Sequence, residues 1–289
     1  MIPEPADGET GRPRNRERPG RVLLHFLPVS LSPGPPIFFL LAVTALAAGL
    51  PSTAGCSSQR KPQTSTELLL NERMAAVLLR EGRAHEAEEA YRDVLRSDPK
   101  KPDLHDGLAL ALLAQGKLRE ALESLDRAVK LDPEKALYRI HRGMARTQLA
   151  RYGEAEEDFR VAENSPSADD QFDLALNRGR MRLRMGDYPG AEAQFALAIA
   201  REPKSMDALL GRGIARESRG EVEAAAEDYL EAVRLQPKSP EANLHLGLAL
   251  VSLKKNALGR RYLERTVELD PTGDAGAKAR LLLESHPPS

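Results

Sequence analysis

Gly116–Pro133 reads GKLREALESLDRAVKLDP, and the same pattern returns in Gly186–Pro203 (GDYPGAEAQFALAIAREP) and Gly220–Pro237 (GEVEAAAEDYLEAVRLQP). Each copy has a glycine, an alanine five residues on, a large apolar residue four after that, and a closing proline eight further on. Along the chain the small residue recurs as Ala87, Ala121, Ala155, Ala191, Ala225 and Gly259, at intervals of 34, 34, 36, 34 and 34 residues. Its large partner recurs as Tyr91, Leu125, Phe159, Phe195, Tyr229 and Leu263. Pro99, Pro133, Pro203, Pro237 and Pro271 close five of the six units. Unrelated amphipathic helices would not keep so constant a register; stacked copies of one unit would.

Each unit holds two stretches with apolar residues at three- and four-residue spacing, which predicts a pair of helices. Gly82, Gly116, Gly186 and Gly220 fall between the two, where a residue of positive φ ends the first helix cheaply. Ala150 and Lys254 take that place in the third and sixth units. A second small residue recurs in the first helix as Ala75, Ala109, Gly143, Gly179, Gly213 and Gly247, so the paired helices can cross closely. Proline then stops the second helix, because it lacks the N–H and clashes with the preceding turn.

This period and spacing resemble the tetratricopeptide repeat. The resemblance implies an all-α, right-handed α-α superhelix of helix–turn–helix units. The expected units span 68–101, 102–135, 136–171, 172–205, 206–239 and 240–272. Residues 273–289 form a capping helix and tail, with Asp274 as its cap and Leu281, Leu282 and Leu283 available for packing. The two extra residues between the third and fourth units fall in 162–170, a polar, proline-containing stretch expected to be a loop.

The N-terminal residues differ in kind. Residues 1–21 carry five arginines among Pro, Gly and acidic residues and are expected to be disordered. Val22–Gln59 contains no Lys, Arg, Asp or Glu, and Ile37–Leu50 is a 14-residue apolar run. That run is short for a membrane span, which takes about 20 residues, and suits a secretory signal. Ser52-Thr53-Ala54-Gly55-Cys56 follows it, and Cys56 is the only cysteine. The segment resembles a bacterial lipobox, with Ala54 and Gly55 in place and Thr53 where leucine is usual; ordinary cleavage after Ala54 and an uncleaved anchor are the alternatives. The lipobox resemblance implies acylation of Cys56, with 1–55 as leader and 56–66 as a polar tether. Ser57 resembles the outer-membrane class of such lipoproteins, so the expected place is the periplasmic face of that membrane.

In tetratricopeptide proteins the first helix of each unit lines the concave face. On this chain the implied groove positions are Leu110, Leu113, Ile140, Met144, Leu176, Arg180, Leu183, Arg184, Leu210, Ile214, Leu244 and Leu248. A mainly apolar groove would take an amphipathic helix or an apolar peptide of a protein client. Arg142, Arg178 and Arg212 form a ladder that could meet an acidic partner. Asp158 and Asp228, sixteen residues after Arg142 and Arg212, suggest ion pairs within the repeat instead, and Arg178 has no matching aspartate.

A formal net charge of −1 gives no general pull toward nucleic acid, and no basic stripe stands out. The six histidines have no paired-ligand spacing, and no phosphate loop or nucleophile elbow is present. No enzyme activity, cofactor, metal or small-molecule substrate is expected.

A lipidated array of six units resembles the pilotin family, which helps type IV pilus secretins assemble in the outer membrane. The resemblance covers residues 37–272 and includes the lengthening between the third and fourth units. An adaptor that docks peptidoglycan hydrolases or proteases, a structural envelope protein and a soluble periplasmic repeat protein are the alternatives. Replacing Cys56 with Ala is expected to release the protein from membranes without unfolding it. Membrane fractionation with acyl labelling checks this, and a variant that stays membrane-bound contradicts lipid anchoring.

Overall fold

The structure, a computed structural model, describes residues 65–285. The leader, Cys56 and most of the tether therefore lie outside the described residues. Within them the chain forms helix pairs α1 (Ser65–Arg80) and α2 (Ala84–Ser97), α3 (Pro102–Ala114) and α4 (Leu118–Leu131), and α5 (Ala136–Gln148) and α6 (Tyr152–Ala162). These continue as α7 (Ala168–Arg184) and α8 (Tyr188–Arg201), α9 (Met206–Ser218) and α10 (Val222–Leu235), and α11 (Pro240–Ser252) and α12 (Asn256–Leu269), closed by α13 (Asp274–Ser285). Six pairs and a terminal helix match the expected all-α superhelix.

Two boundaries move. Helix α1 starts at Ser65, inside the expected tether. Helix α7 starts at Ala168, inside the stretch 162–170 expected to be a loop, and runs for 17 residues, so part of the lengthening becomes helix and only 163–167 is left as a connection. Ser167 explains the early start: its side chain accepts from the Asp170 N–H, an N-cap that the sequence reading placed in a loop.

The turns between paired helices share one hydrogen-bond pattern. After α3, Gly116 N–H donates to Leu113 O (3.0 Å) and Lys117 N–H to Leu112 O (2.9 Å), the crossed pair of a Schellman cap. Gly82, Gly116, Gly186 and Gly220 have φ between 73° and 82°, and Ala150 and Lys254 are held at 58° and 60°. The cap is thus imposed even where a Cβ opposes it, at about 1–2 kcal/mol.

Closing prolines act through the residue before them. Asp98, Asp132, Glu202, Gln236 and Asp270 leave the helix with φ near −135° (−134° at Asp98, −138° at Asp132), since proline pushes its predecessor out of the α region. The third unit lacks the proline, and there Glu163 keeps α-helical dihedrals. The freed carbonyl is then used: Arg139 and Asn243 donate to Pro133 O and Pro237 O, and the His105 ring lies 2.9 Å from Pro99 O.

Packing within each pair turns on the repeated small and large residues. Ala87, Ala121, Ala155, Ala191 and Ala225 are fully buried, as are Leu125, Phe159, Phe195 and Tyr229. Phe159 lies over Gly143 so closely that a Cβ there would sit 2.5 Å from the ring, and Phe195 over Gly179 leaves 2.9 Å. The ring occupies the space that a side chain on the first helix would need. At the C-terminal end, Ala275 and Ala279 of α13 join Leu244 and Leu263, with Leu282 and Leu283 partly buried and Leu281 exposed. The cap of α13 is Asp270 rather than Asp274: its carboxylate accepts from Gly273 N–H (2.8 Å) and Gly276 N–H (3.1 Å).

Two substitutions between Gly and Ala should act in opposite directions. Gly143→Ala drives a methyl into the buried Phe159 ring and should cost about 1–3 kcal/mol. Ala150→Gly relieves a left-handed alanine and should stabilise by about 0.5–1 kcal/mol after the entropy of the unfolded chain is counted. Denaturant melts of both variants check the signs; equal signs would contradict this packing.

Candidate functional site: the notch between the third and fourth units

First helices touch one another in sequence: α1 with α3, α3 with α5, α5 with α7, and α7 with α9. Second helices pack first on the first helix of their own pair and next on the first helix that follows, and no consecutive pair of them packs to that extent. The first-helix side is therefore the inner, more tightly curved side of the array.

That close contact changes the expected groove. Leu110 and Leu113 are buried in the core of the first two units, and Ile140 is fully buried with Phe159 and Met181. Leu176 is buried with Phe172 and Phe195, and Leu244 with Leu263 and Ala275. Leu210 and Ile214 lie partly buried against the Tyr229 cluster, and Leu248 against α13's. The expected open apolar strip is thus largely buried in packing within and between the units. A glutamate at Leu176 would enter the core rather than a groove.

The remaining four expected positions, Met144, Arg180, Leu183 and Arg184, do come together. With Thr147, Gln148 and Asn177 they line a cavity of 170 Å³ between the C-terminal halves of α5 and α7. Met144 and Leu183 are its apolar part. Thr147 donates its hydroxyl to Gly143 O at 2.8 Å, so it presents its methyl side more than its polarity. Arg180 reaches the next unit and pairs with Asp207 of α9 at 2.9 Å. Arg184 is exposed, in the last turn of α7, where the helix dipole favours a cation.

Asn177 is the residue that sequence reading missed. It is only 7% exposed, its Nδ2 donates to Asp173 O at 2.8 Å, and its Oδ1 has no partner. The amide orientation is fixed by that bond, since a carbonyl acceptor needs the N–H side. The available signal was polarity: an Asn inside LALNRGRM interrupts an otherwise buried face.

The arginine ladder resolves into structural pairs. Asp158 accepts from Arg142 Nε (2.9 Å) and Nη2 (2.6 Å) and from Arg146 Nη1 (2.7 Å). Asp228 repeats this with Arg212 and Arg216. Arg178, which has no matching aspartate, is held by Glu156 of α6 (2.9 Å) and by Glu163 just past its end (2.5 Å), across the unit boundary. Beside the notch, the His141 ring meets Asp106 at 2.7 Å. Burial pulls its pKa down, but the charge and hydrogen bond of Asp106, with Asp173 and Asp170, outweigh that and raise it. Among the described residues no cluster of side chains could hold a metal ion, and no helix is long and apolar enough to cross a membrane.

Sequence models of the tetratricopeptide repeat match residues 78–149, 176–240 and 218–274, together more than half of the chain. The chain belongs to the tetratricopeptide-repeat proteins. Members of this family are protein-interaction scaffolds, and the fold is generally non-catalytic. No curated protein matches the sequence. Among solved structures, PilW, a widely conserved type IV pilus biogenesis factor, is 18% identical with a TM-score of 0.66, over 76% of this chain and 100% of its own. The pilF protein of Pseudomonas aeruginosa is 16% identical with a TM-score of 0.61, over 76% and 97%. A chain of the APC/C hetero-tetramer Cut9–Hcn1 is 16% identical with a TM-score of 0.64, over 73% of this chain and only 42% of its own. At these identities the likeness is one of fold.

Packing and surface roles can be separated by stability. Leu176→Ala should cost about 2–5 kcal/mol, as a truncated core leucine does. Arg184→Ala should stay within about 0.5 kcal/mol of the parent. Urea unfolding followed by circular dichroism checks the pair, and a mild Leu176→Ala would restore that leucine to an open groove.

Proposed function

We propose that this repeat protein is an assembly factor of the bacterial envelope, lipid-anchored at the outer membrane through Cys56, which holds a protein client on the inner face of its array. The observation that carries the reading is the extent of the fold match. The array corresponds to nearly the whole of PilW and of pilF, whereas it covers less than half of the matching chain of the Cut9–Hcn1 complex. PilW is a pilus biogenesis factor, and an array of the same extent behind a lipobox-like cysteine has the parts that such a role needs: a reach to the membrane and a surface for one client.

The chemistry is binding and positioning. A triacylated Cys56 would anchor the chain permanently, since two acyl chains already suffice for stable attachment. Fully extended, the ten tether residues 57–66 would give about 33 Å of reach, shortened slightly because α1 begins at Ser65. The stacked units supply a stiff platform, with the notch at the junction of the third and fourth units as a recess on its inner face.

Deleting the gene from its native host is expected to abolish surface pili and to deplete secretin multimers in outer-membrane fractions, with restoration by the wild-type gene. Normal pili together with altered cell shape or accumulated hydrolases would contradict this reading in favour of a hydrolase adaptor.

A further inference from the structure

The notch has a composition that points to what it takes. Its seven lining residues include two arginines and no carboxylate. Arg184 is exposed and has no carboxylate partner among the described residues, while Arg180 is steadied by Asp207. A polar group nine-tenths buried and unpaired is a second, independent sign, because such an acceptor costs free energy until a donor reaches it. Asn177 Oδ1 is that acceptor, on the helix turn preceding Arg180 and Arg184. Gln148 adds a half-buried side-chain amide from the facing helix, and Met144 and Leu183 supply the apolar wall.

Size limits the choice of ligand. A volume of 170 Å³ is below the range of about 300–1,000 Å³ that holds a cofactor or drug-sized molecule. It is enough for one side chain. A protruding side chain with its own backbone alongside would bring an N–H to Asn177 Oδ1 and a neighbouring carboxylate to Arg184.

We infer that the notch between α5 and α7 binds an extended segment of a protein client in which an apolar side chain enters the cavity, an adjacent Asp or Glu pairs with Arg184, and a backbone N–H donates to Asn177 Oδ1. This deepens the scaffold reading above and rests on it. It replaces the expected apolar client with an acidic-apolar one, because most of the leucines that would have bound the former are buried in the packing of the array. Arg184 serves as the charge selector, in the bidentate geometry a guanidinium offers a carboxylate. Asn177 fixes the segment's register.

The test uses the full chain and libraries of heptapeptides blocked at both ends, with Leu fixed centrally and Asp, Glu, Asn, Gln or Lys fixed beside it. The wild type is expected to bind the Asp and Glu libraries about tenfold or more tightly than the Asn and Gln libraries, the scale of a charge-assisted hydrogen bond. Arg184→Glu should reverse this in favour of Lys, with a melting temperature lowered by no more than about 5 °C by the loss of a cation from the last turn of α7. Asn177→Ala, its melt recorded alongside, should weaken all libraries without altering the order of charges. Equal binding of acidic and neutral libraries, or an Arg184→Glu variant with the parent's preference, overturns the inference. Binding that requires a free C-terminal carboxylate overturns it as well. None of these outcomes touches the pilus phenotype of the deletion strain, so failure here and failure of the envelope role are read separately.

Discussion

The array depends on one contact: a ring or leucine from the second helix resting where the first helix carries hydrogen or a methyl. Phe159 on Gly143 and Phe195 on Gly179 show its tight form, with no room for a Cβ, and Leu263 on Gly247 its aliphatic form. The contact fixes how closely the two helices cross. The same ring also reaches forward, since Phe195 lies against Gly211 of the next unit as well as against Gly179 of its own. Each large residue thereby sets two spacings, within the unit and between units. A 34-residue period survives because a change on either side of this contact must be matched on the other.

Close stacking has a consequence for binding. First helices bury most of their leucines in the packing of the units, as Leu176 does with Phe195 and Leu244 with Leu263 and α13, and leave little apolar surface open on the inner side. What remains available is the polar fringe of that side. At the junction of α5 and α7 the fringe includes a recess, an unsatisfied amide oxygen and an arginine without a partner. Elsewhere arginines are consumed by structure: Asp158 and Asp228 each gather two of them, and Glu156 and Glu163 hold Arg178 across a unit boundary. Arg184, in the last turn of α7, is exposed and pairs with no carboxylate among the described residues.

Legibility in the sequence followed the range of the forces involved. Turn glycines, closing prolines and the small-to-large spacing are local and periodic, so the helix pairs and even the left-handed Ala150 and Lys254 were readable by register. The Ser167 cap was not, because a serine three residues before Asp170 reads equally as loop. Which groove leucines are buried was not readable either, since helical register gives the face but not the distance to the neighbouring unit. Of the twelve groove positions, Arg180, Leu183, Arg184 and Met144 line one recess; Asn177 was missed because its importance lies in a bond it does not make. Glu88 is a similar case, a buried carboxylate held by Lys117, Gln115 and Arg92, which no pattern of the repeat announces.

The most direct test of the binding account is photocrosslinking in the native host, with a benzophenone amino acid placed at Gln148 in the notch or at Leu197, exposed on α8. The account predicts one discrete client adduct from position 148, lost when Arg184→Glu is introduced, and none from 197. An adduct from 197 alone, or one from 148 that is indifferent to Arg184, would contradict it.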